Sequence, residues 1–349
     1  MEFPFMKHRP VTPTSLKQSE ECTRYGVLLE AAGRDKYDPL HAEYGSAFGA
    51  GCAAYSCSPT LKPDVRRGLM LLEASKLWGF TQKLEMKTWP TLIKLLLAYA
   101  DEADAAGLVG VETETRILVT VTEPYEAEWR IGGAFDLLAT NGDAACIHDF
   151  KAVASEYYYS WESDPQILHY TLLQYIRWRL APATTVQPTG LGNYFVGVIP
   201  NSNEFAFHVR SNHLGMWRTL LTHVDRCKSL YRDQDRMADF GIQTVPTKPS
   251  QCNGKRPCYF IPNCYDGEEF DIVGRTDHRI FNRIENFTVT RAELDMYVRE
   301  LMGILQEAEA AAKKFDAAHA KMVATLCDGV DLDAISTGDS MDFLTRGFE

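Results

Sequence analysis

The chain has 349 residues, 45% of them hydrophobic and 24% charged, with a formal net charge of -11. That composition excludes a disordered or fibrous protein, and the length suffices for a large buried core. The acidic balance excludes a protein coated in basic surface, though not a local basic channel for nucleic acid.

No apolar run approaches the ~20 residues of a membrane span, and the opening MEFPFMKHRPVTPTS lacks the basic-then-apolar order of a signal peptide. A cytoplasmic protein with no membrane partner is expected. Its nine cysteines are then reduced, so their spacing is read for metal ligation before disulfides.

Residues 1–60 are rich in Pro, Gly and small side chains, which predicts a wrapping segment with only short helices, one of them over 14–30. Over 64–106 the spacing of Leu69, Leu72, Leu77, Trp78, Leu92, Leu95, Leu96 and Tyr99 suits a helical layer interrupted near Pro90. Alternating patterns then predict strands over 109–122, 129–140 and 144–153, the last two joined by a type I′ turn at Asn141-Gly142. A helix over 164–180, strands over 193–199 and 204–209, and a helix over 214–239 follow. Beyond a Cys- and Pro-containing loop over 245–268 lie a long helix over 290–326 and a loosely ordered tail from 328. This order predicts an α/β core, a mixed central sheet flanked by helices. We divide it as 1–106, 107–244 and 245–349, three regions of one integrated domain.

The hairpin strands are apolar except for two acids and a lysine, in Gly132-Gly133-Ala134-Phe135-Asp136 and Cys146-Ile147-His148-Asp149-Phe150-Lys151. With a two-residue loop at Asn141-Gly142, Asp136 faces Ile147 and Asp149 lies diagonally on the same face, roughly 7–8 Å away. Lys151 shares that face. Close carboxylates repel unless a cation lies between them, and oxygen donors favour Mg²⁺ or Mn²⁺ over Zn²⁺. Phosphodiester hydrolysis fits such parts. A solvent-facing, salt-bridged hairpin fits a short D-x-K equally well. Glu112 offers a third carboxylate and Glu114 a weaker one, while Gln166 and Tyr170 share one face of the following helix.

Taken in order, GAFD, DFK and QILHY resemble the RecB-like branch of the PD-(D/E)xK nuclease superfamily. The resemblance implies a restriction-endonuclease-like core and a metal-dependent DNA exonuclease acting on single-stranded DNA or DNA ends in recombination, repair or replication, compatible with a phage origin and the host cytoplasm. It implies that Glu112, Asp136 and Asp149 bind the metal, that Lys151 assists the chemistry and that Gln166 and Tyr170 contact the strand. A helicase or recombination protein is the implied partner, and a homo-oligomer stays open. One departure is Gly49, which stands where related nucleases often carry a metal-ligating histidine; His41 lies at the wrong offset. The alternative is therefore a catalytically weak or inactive DNA-binding or assembly subunit.

Cys252, Cys258 and Cys264 are evenly spaced in QCNGKRPCYFIPNC, and Cys22 is the candidate fourth thiol, with Cys52 and Cys57 as competitors. Several RecB-like nucleases similarly place one cysteine before the core and three after it around a [4Fe-4S] cluster, so the resemblance implies that cofactor. A Zn²⁺ site and unliganded thiols are the alternatives. Cys146, Cys227 and Cys327 are assigned to packing. Arg177, Arg179, Lys255 and Arg256 are candidate phosphate contacts, and Tyr157, Tyr158, Tyr159 and Trp161 candidate stacking residues.

Overall fold

The computed structural model describes residues 9–22, 39–142, 144–153, 164–198, 206–211, 214–240 and 281–327. Cys252, Cys258, Cys264, Lys255, Arg256, Tyr157, Tyr158, Tyr159, Trp161 and the tail from 328 lie outside them. The chain divides into two units, residues 1–305 and 306–349. In the second, Lys313 pairs with Glu309 at 2.6 Å, one helical turn apart.

The first unit begins with α1 (Pro13–Glu21), α2 (Pro39–Ser56) and α3 (Pro63–Leu77). A small hairpin, β1 (Lys83–Leu84) and β2 (Lys87–Thr88), then leads into α4 (Trp89–Ala105). The predicted break near Pro90 is that hairpin, and Pro90 itself lies in the first turn of α4, where its missing N–H costs nothing. Thr88 and Thr91 close a reciprocal capping box there.

The long strands β3 (Val109–Glu123), β4 (Glu126–Asn141) and β5 (Ala144–Val153) are followed by α5 (Pro165–Leu180), β6 (Asn193–Val198) and β7 (Ala206–Ser211). After a 3-10 turn, α6 (Leu220–Phe240), β8 (Arg283–Thr290) and α7 (Arg291–Cys327) complete the order. The sheet runs β7-β6-β5-β4-β3-β8. Pairs β5/β6 and β3/β8 are parallel and the others antiparallel, so it is mixed.

Each sheet face carries its own core. On one side Ile131, Phe135, Leu138 and Ile147 pack with Leu168, Leu172 and Ile176 of α5, Val224 and Tyr231 of α6, and Leu294 and Val298 of α7. On the other, Leu137, Phe150 and Phe195 pack with Phe48 and Tyr55 of α2, Met70 of α3, and Leu95 and Tyr99 of α4. This helix–sheet–helix arrangement is the predicted α/β class, consistent with a restriction-endonuclease-like core. No helix among the described residues is long and apolar enough to cross a membrane.

Three expectations are corrected. The segment read as short helices contains the 18-residue α2. Its glycines do not break it, and Gly51 is a close-approach position: a Cβ there would lie 2.6 Å from Leu96 Cδ2 and 3.1 Å from the Met70 carbonyl oxygen. Second, β8 was not predicted; its ladder with β3 joins positions 168 residues apart, from Thr115/Arg283 to Thr122/Thr290, beyond any local pattern. Third, the hairpin pairs Asn141 with Ala144 and Leu138 with Ile147, so the loop begins at Gly142 (φ +58°) and Asn141 stays in the strand.

The turn leading into β6 leaves no room for a side chain at Gly192, where a Cβ would fall 1.4 Å from the Ile147 carbonyl oxygen. Gly192→Ala is expected to push β6 off β5 and cost about 3 kcal/mol or more, at the upper end of overpacking changes. Urea unfolding checks this; a loss below about 1 kcal/mol would mean the backbone yields there.

Candidate active site

The ladder between β4 and β5 runs from Asn141/Ala144 to Leu137/His148. One residue further, the Asp136 carboxylate takes over as acceptor: the Phe150 amide donates to its Oδ2 at 2.9 Å. The facing pattern of β4 is irregular here, since Phe135 and Leu138 serve one core and Leu137 the other. Strand β5 meanwhile stays paired with β6, Asp149 opposite Tyr194 and Lys151 opposite Val196. One edge of β5 is thus held rigidly while the other presents a carboxylate.

Asp149 is buried, with 1% of its surface exposed. Its Oδ1 accepts from the Gln166 side-chain amide at 2.8 Å, and its Oδ2 is ion-paired with Lys151. The same amide nitrogen donates to the Tyr170 hydroxyl at 3.1 Å. Gln166 and Tyr170 share this face because they lie one helical turn apart on α5. Asp164 caps that helix by accepting from the Gln166 amide at 2.9 Å, and Lys17 of α1 reaches it at 2.8 Å. Tyr170 can lie close to β4 because Gly133 has no side chain: a Cβ there would meet the ring at 2.6 Å.

Burial by itself would depress the Lys151 ammonium, but the carboxylates of Asp149 and Asp136 outweigh it and hold the group above its ordinary range. Lys151 is therefore a fixed positive charge throughout the neutral range. On the α2 side, burial first and the Asp136 carboxylate second keep the Cys52 thiol well above its usual value. The Tyr194 hydroxyl, buried beside Asp164 and Asp149, is also pushed up.

Asp136, Asp149, Lys151, Gln166 and Tyr170 thus come together, whereas Glu112 is engaged by another residue. Its carboxylate is gripped by both terminal nitrogens of Arg177, at 2.7 and 3.2 Å, and accepts from the Thr115 hydroxyl at 3.2 Å. Arg177 lies seven residues beyond Tyr170, about 10 Å along α5. Its guanidinium is fully buried and also bridges to Glu285 of β8, which corrects its reading as a phosphate contact. Arg179 pairs with Glu300. Glu114, flanked by the pairs Thr113/Leu137 and Thr115/Phe135, lies across the ladder from Asp136 and holds a left-handed φ of +49°. A glutamate pays for that conformation with strain, which concentrates at functional sites.

No protein-family model and no curated protein matches the chain. Among solved structures it is similar to SSO0001, at 12% identity over 63% of this chain and 86% of that one, with a TM-score of 0.25. It is also similar to a Eubacterium rectale protein named "Putative exonuclease", at 11% identity over 61% and 80% of the two chains, with a TM-score of 0.29. Neither likeness carries an argument about activity.

Asp164, Lys17 and Tyr194 surround the cluster and were not singled out from the sequence. Asp164 had a readable signal, an Asp directly before a Pro at a helix start. Tyr194 had none beyond its place in an apolar strand.

His148 and His169 are buried, and desolvation lowers each to about 4; burial also holds His223 well below its ordinary value. Unfolded histidine titrates near 6.5, so below that pH the unfolded chain binds the extra protons. Stability is then complete above about pH 6.5 and falls as the pH drops toward 4, each histidine adding up to about 1.4 kcal/mol per unit. Melting temperatures between pH 7.5 and 4.5 check this. His148→Phe, packed on Phe195, is expected to flatten the fall, and an unchanged slope would remove His148 as a contributor.

Proposed function

We propose that the protein is a metal-dependent deoxyribonuclease of the exonuclease type, hydrolysing phosphodiester bonds in single-stranded DNA or at DNA ends. The observation that carries this reading is the convergence of Asp136, Asp149, Lys151, Gln166 and Tyr170 where β4 and β5 part. Asp136 and Asp149 fit Mg²⁺ or Mn²⁺, because they are hard oxygen donors and two carboxylates, that of Asp149 buried, meet one ammonium. When bound, such an ion supplies Lewis-acid polarisation of a phosphoryl oxygen and an activated water.

The chain's own groups account for the rest. Lys151, paired with Asp149, is placed to stabilise negative charge that develops on the phosphate oxygens. Gln166 uses its two amide N–H groups to orient the Asp149 carboxylate and the Tyr170 hydroxyl, and that hydroxyl and the Gln166 amide oxygen give the strand polar contacts beside the reacting bond. Gly49 favours a second reading, a DNA-binding subunit of low activity. A Cβ there would meet only the Phe150 side chain, at 3.6 Å, so α2 brings no metal-ligating side chain from that position.

Linear and circular DNA, single- and double-stranded and labelled at either end, distinguish the readings when supplied with Mg²⁺ or Mn²⁺. Progressive loss of linear single strands with circles spared is expected, and Lys151→Ala should slow it by about 100-fold or more. Binding without cleavage of any substrate would favour the second reading.

A further inference from the structure

One residue before Tyr170 on α5, three metal-ligating side chains meet in the core. His169 projects from α5; His223 and Cys227, at i and i+4, project from one face of α6. All three are buried. His169 Nδ1 and His223 Nε2 are 2.9 Å apart, and Cys227 Sγ lies 3.9 and 3.8 Å from them. The point equidistant from these atoms is about 2.1 Å from each, close to the 2.0–2.1 Å of a zinc–imidazole bond and the 2.3 Å of a zinc–thiolate bond. We propose that His169, His223 and Cys227 form a binding site for a thiophilic d10 metal ion, Zn²⁺ or Cu⁺, that clips α5 to α6.

The surroundings suit that role. His169 Nε2 faces the Gly132 carbonyl oxygen at 3.2 Å, so an N–H there donates outward and the Nδ1 lone pair is left directed at the cluster. A backbone carbonyl in this position is the usual partner of a metal-ligating imidazole. Burial keeps both imidazoles neutral, the form that ligates, and holds the Cys227 thiol up to about 12, protonated without a cation. Binding is therefore a proton exchange: the sulfur–metal bond forms as the thiol proton leaves to solvent, and His223 takes the tautomer protonated at Nδ1. Two imidazoles and a thiolate select borderline or soft ions and reject the Mg²⁺ or Mn²⁺ suited to Asp136 and Asp149. The inference does not depend on the nuclease reading. Its consequence is mechanical: His169 adjoins Tyr170, so an ion here stiffens the helix that places Gln166 and Tyr170.

The test uses the purified full chain, stripped with chelator and titrated with Co²⁺, Zn²⁺ or Cu⁺, beside Cys227→Ser and His223→Gln. One equivalent of Co²⁺ is expected to give a thiolate-to-cobalt charge-transfer band absent from Cys227→Ser and displaced by Zn²⁺ or Cu⁺, whichever binds more tightly. With excess Mg²⁺ present throughout, saturation should raise the melting temperature of the unsubstituted protein by several degrees more than that of either variant. The difference from Cys227→Ser separates this site from other cysteines. Equal cobalt spectra and stoichiometry in the unsubstituted protein and either folded variant would overturn the proposal. So would the absence of any metal-induced shift in the unsubstituted protein, a result available even if the variants fail to fold.

Discussion

Asp149→Asn is expected to cut Mn²⁺-supported hydrolysis of end-labelled single-stranded DNA by about two to three orders of magnitude, the usual cost of removing one preorganised charged group from an active site. The substitution keeps the size of the side chain. An amide oxygen can still accept from Gln166, so the α5 contact at 2.8 Å has a substitute. What is lost is the negative charge: half of the carboxylate pair, and the direct ionic partner of Lys151. Lys151 keeps 29% of its side chain exposed and remains near Asp136, so the folded state tolerates the change better than a closed core would. A near-native melting curve with lost turnover is therefore the expected pairing. Turnover within tenfold of the unsubstituted protein would remove Asp149 from the chemistry. Unfolding of the variant would shift the test to Lys151→Ala.

The parts of this site that were legible in the sequence are those carried by short-range periodicity. Strand β5 and the helix carrying Gln166 and Tyr170 announce themselves by alternation and by a Pro after a capping Asp. That Asp136 and Asp149 are near each other followed from hairpin logic, although the pairing was displaced by two residues, because Asn141 stays in the strand and Gly142 takes the positive φ. What stayed hidden depends on distant chain. In α2, glycine and alanine imitate a loop while serving close packing against α4. Edge strand β8 pairs with β3 across 168 residues of sequence, beyond the reach of any local pattern. Arg177 looked like a surface cation because a buried guanidinium needs carboxylates from two other strands, and no local pattern names them. The His–His–Cys cluster had half a signal, the i, i+4 pair on α6, but its third member comes from another helix.

Arg177 also sets the second large effect. Its side chain is 0% exposed and bonds Glu112 of β3 and Glu285 of β8, whose side chains are 14% and 15% exposed. Burial opposes the guanidinium charge, but the hydrogen bonds it donates to both glutamates outweigh it and hold its pKa above the ordinary value. Replacing it with Met fills similar volume while stranding two mostly buried carboxylates without their buried counter-charge; breaking a buried ion pair in this way costs about 3–5 kcal/mol. Arg283 reaches the same two acids from β8, but at 41% exposure it is too solvated to replace the buried charge. Urea unfolding of Arg177→Met should show a loss in that range. Adding Glu112→Gln and Glu285→Gln should recover most of it, since a stranded charge costs more than the absent pair contributed. A loss below about 1 kcal/mol in the single variant would show that water reaches the glutamates, and the guanidinium would then be a tether between α5 and the sheet edge more than a counter-charge.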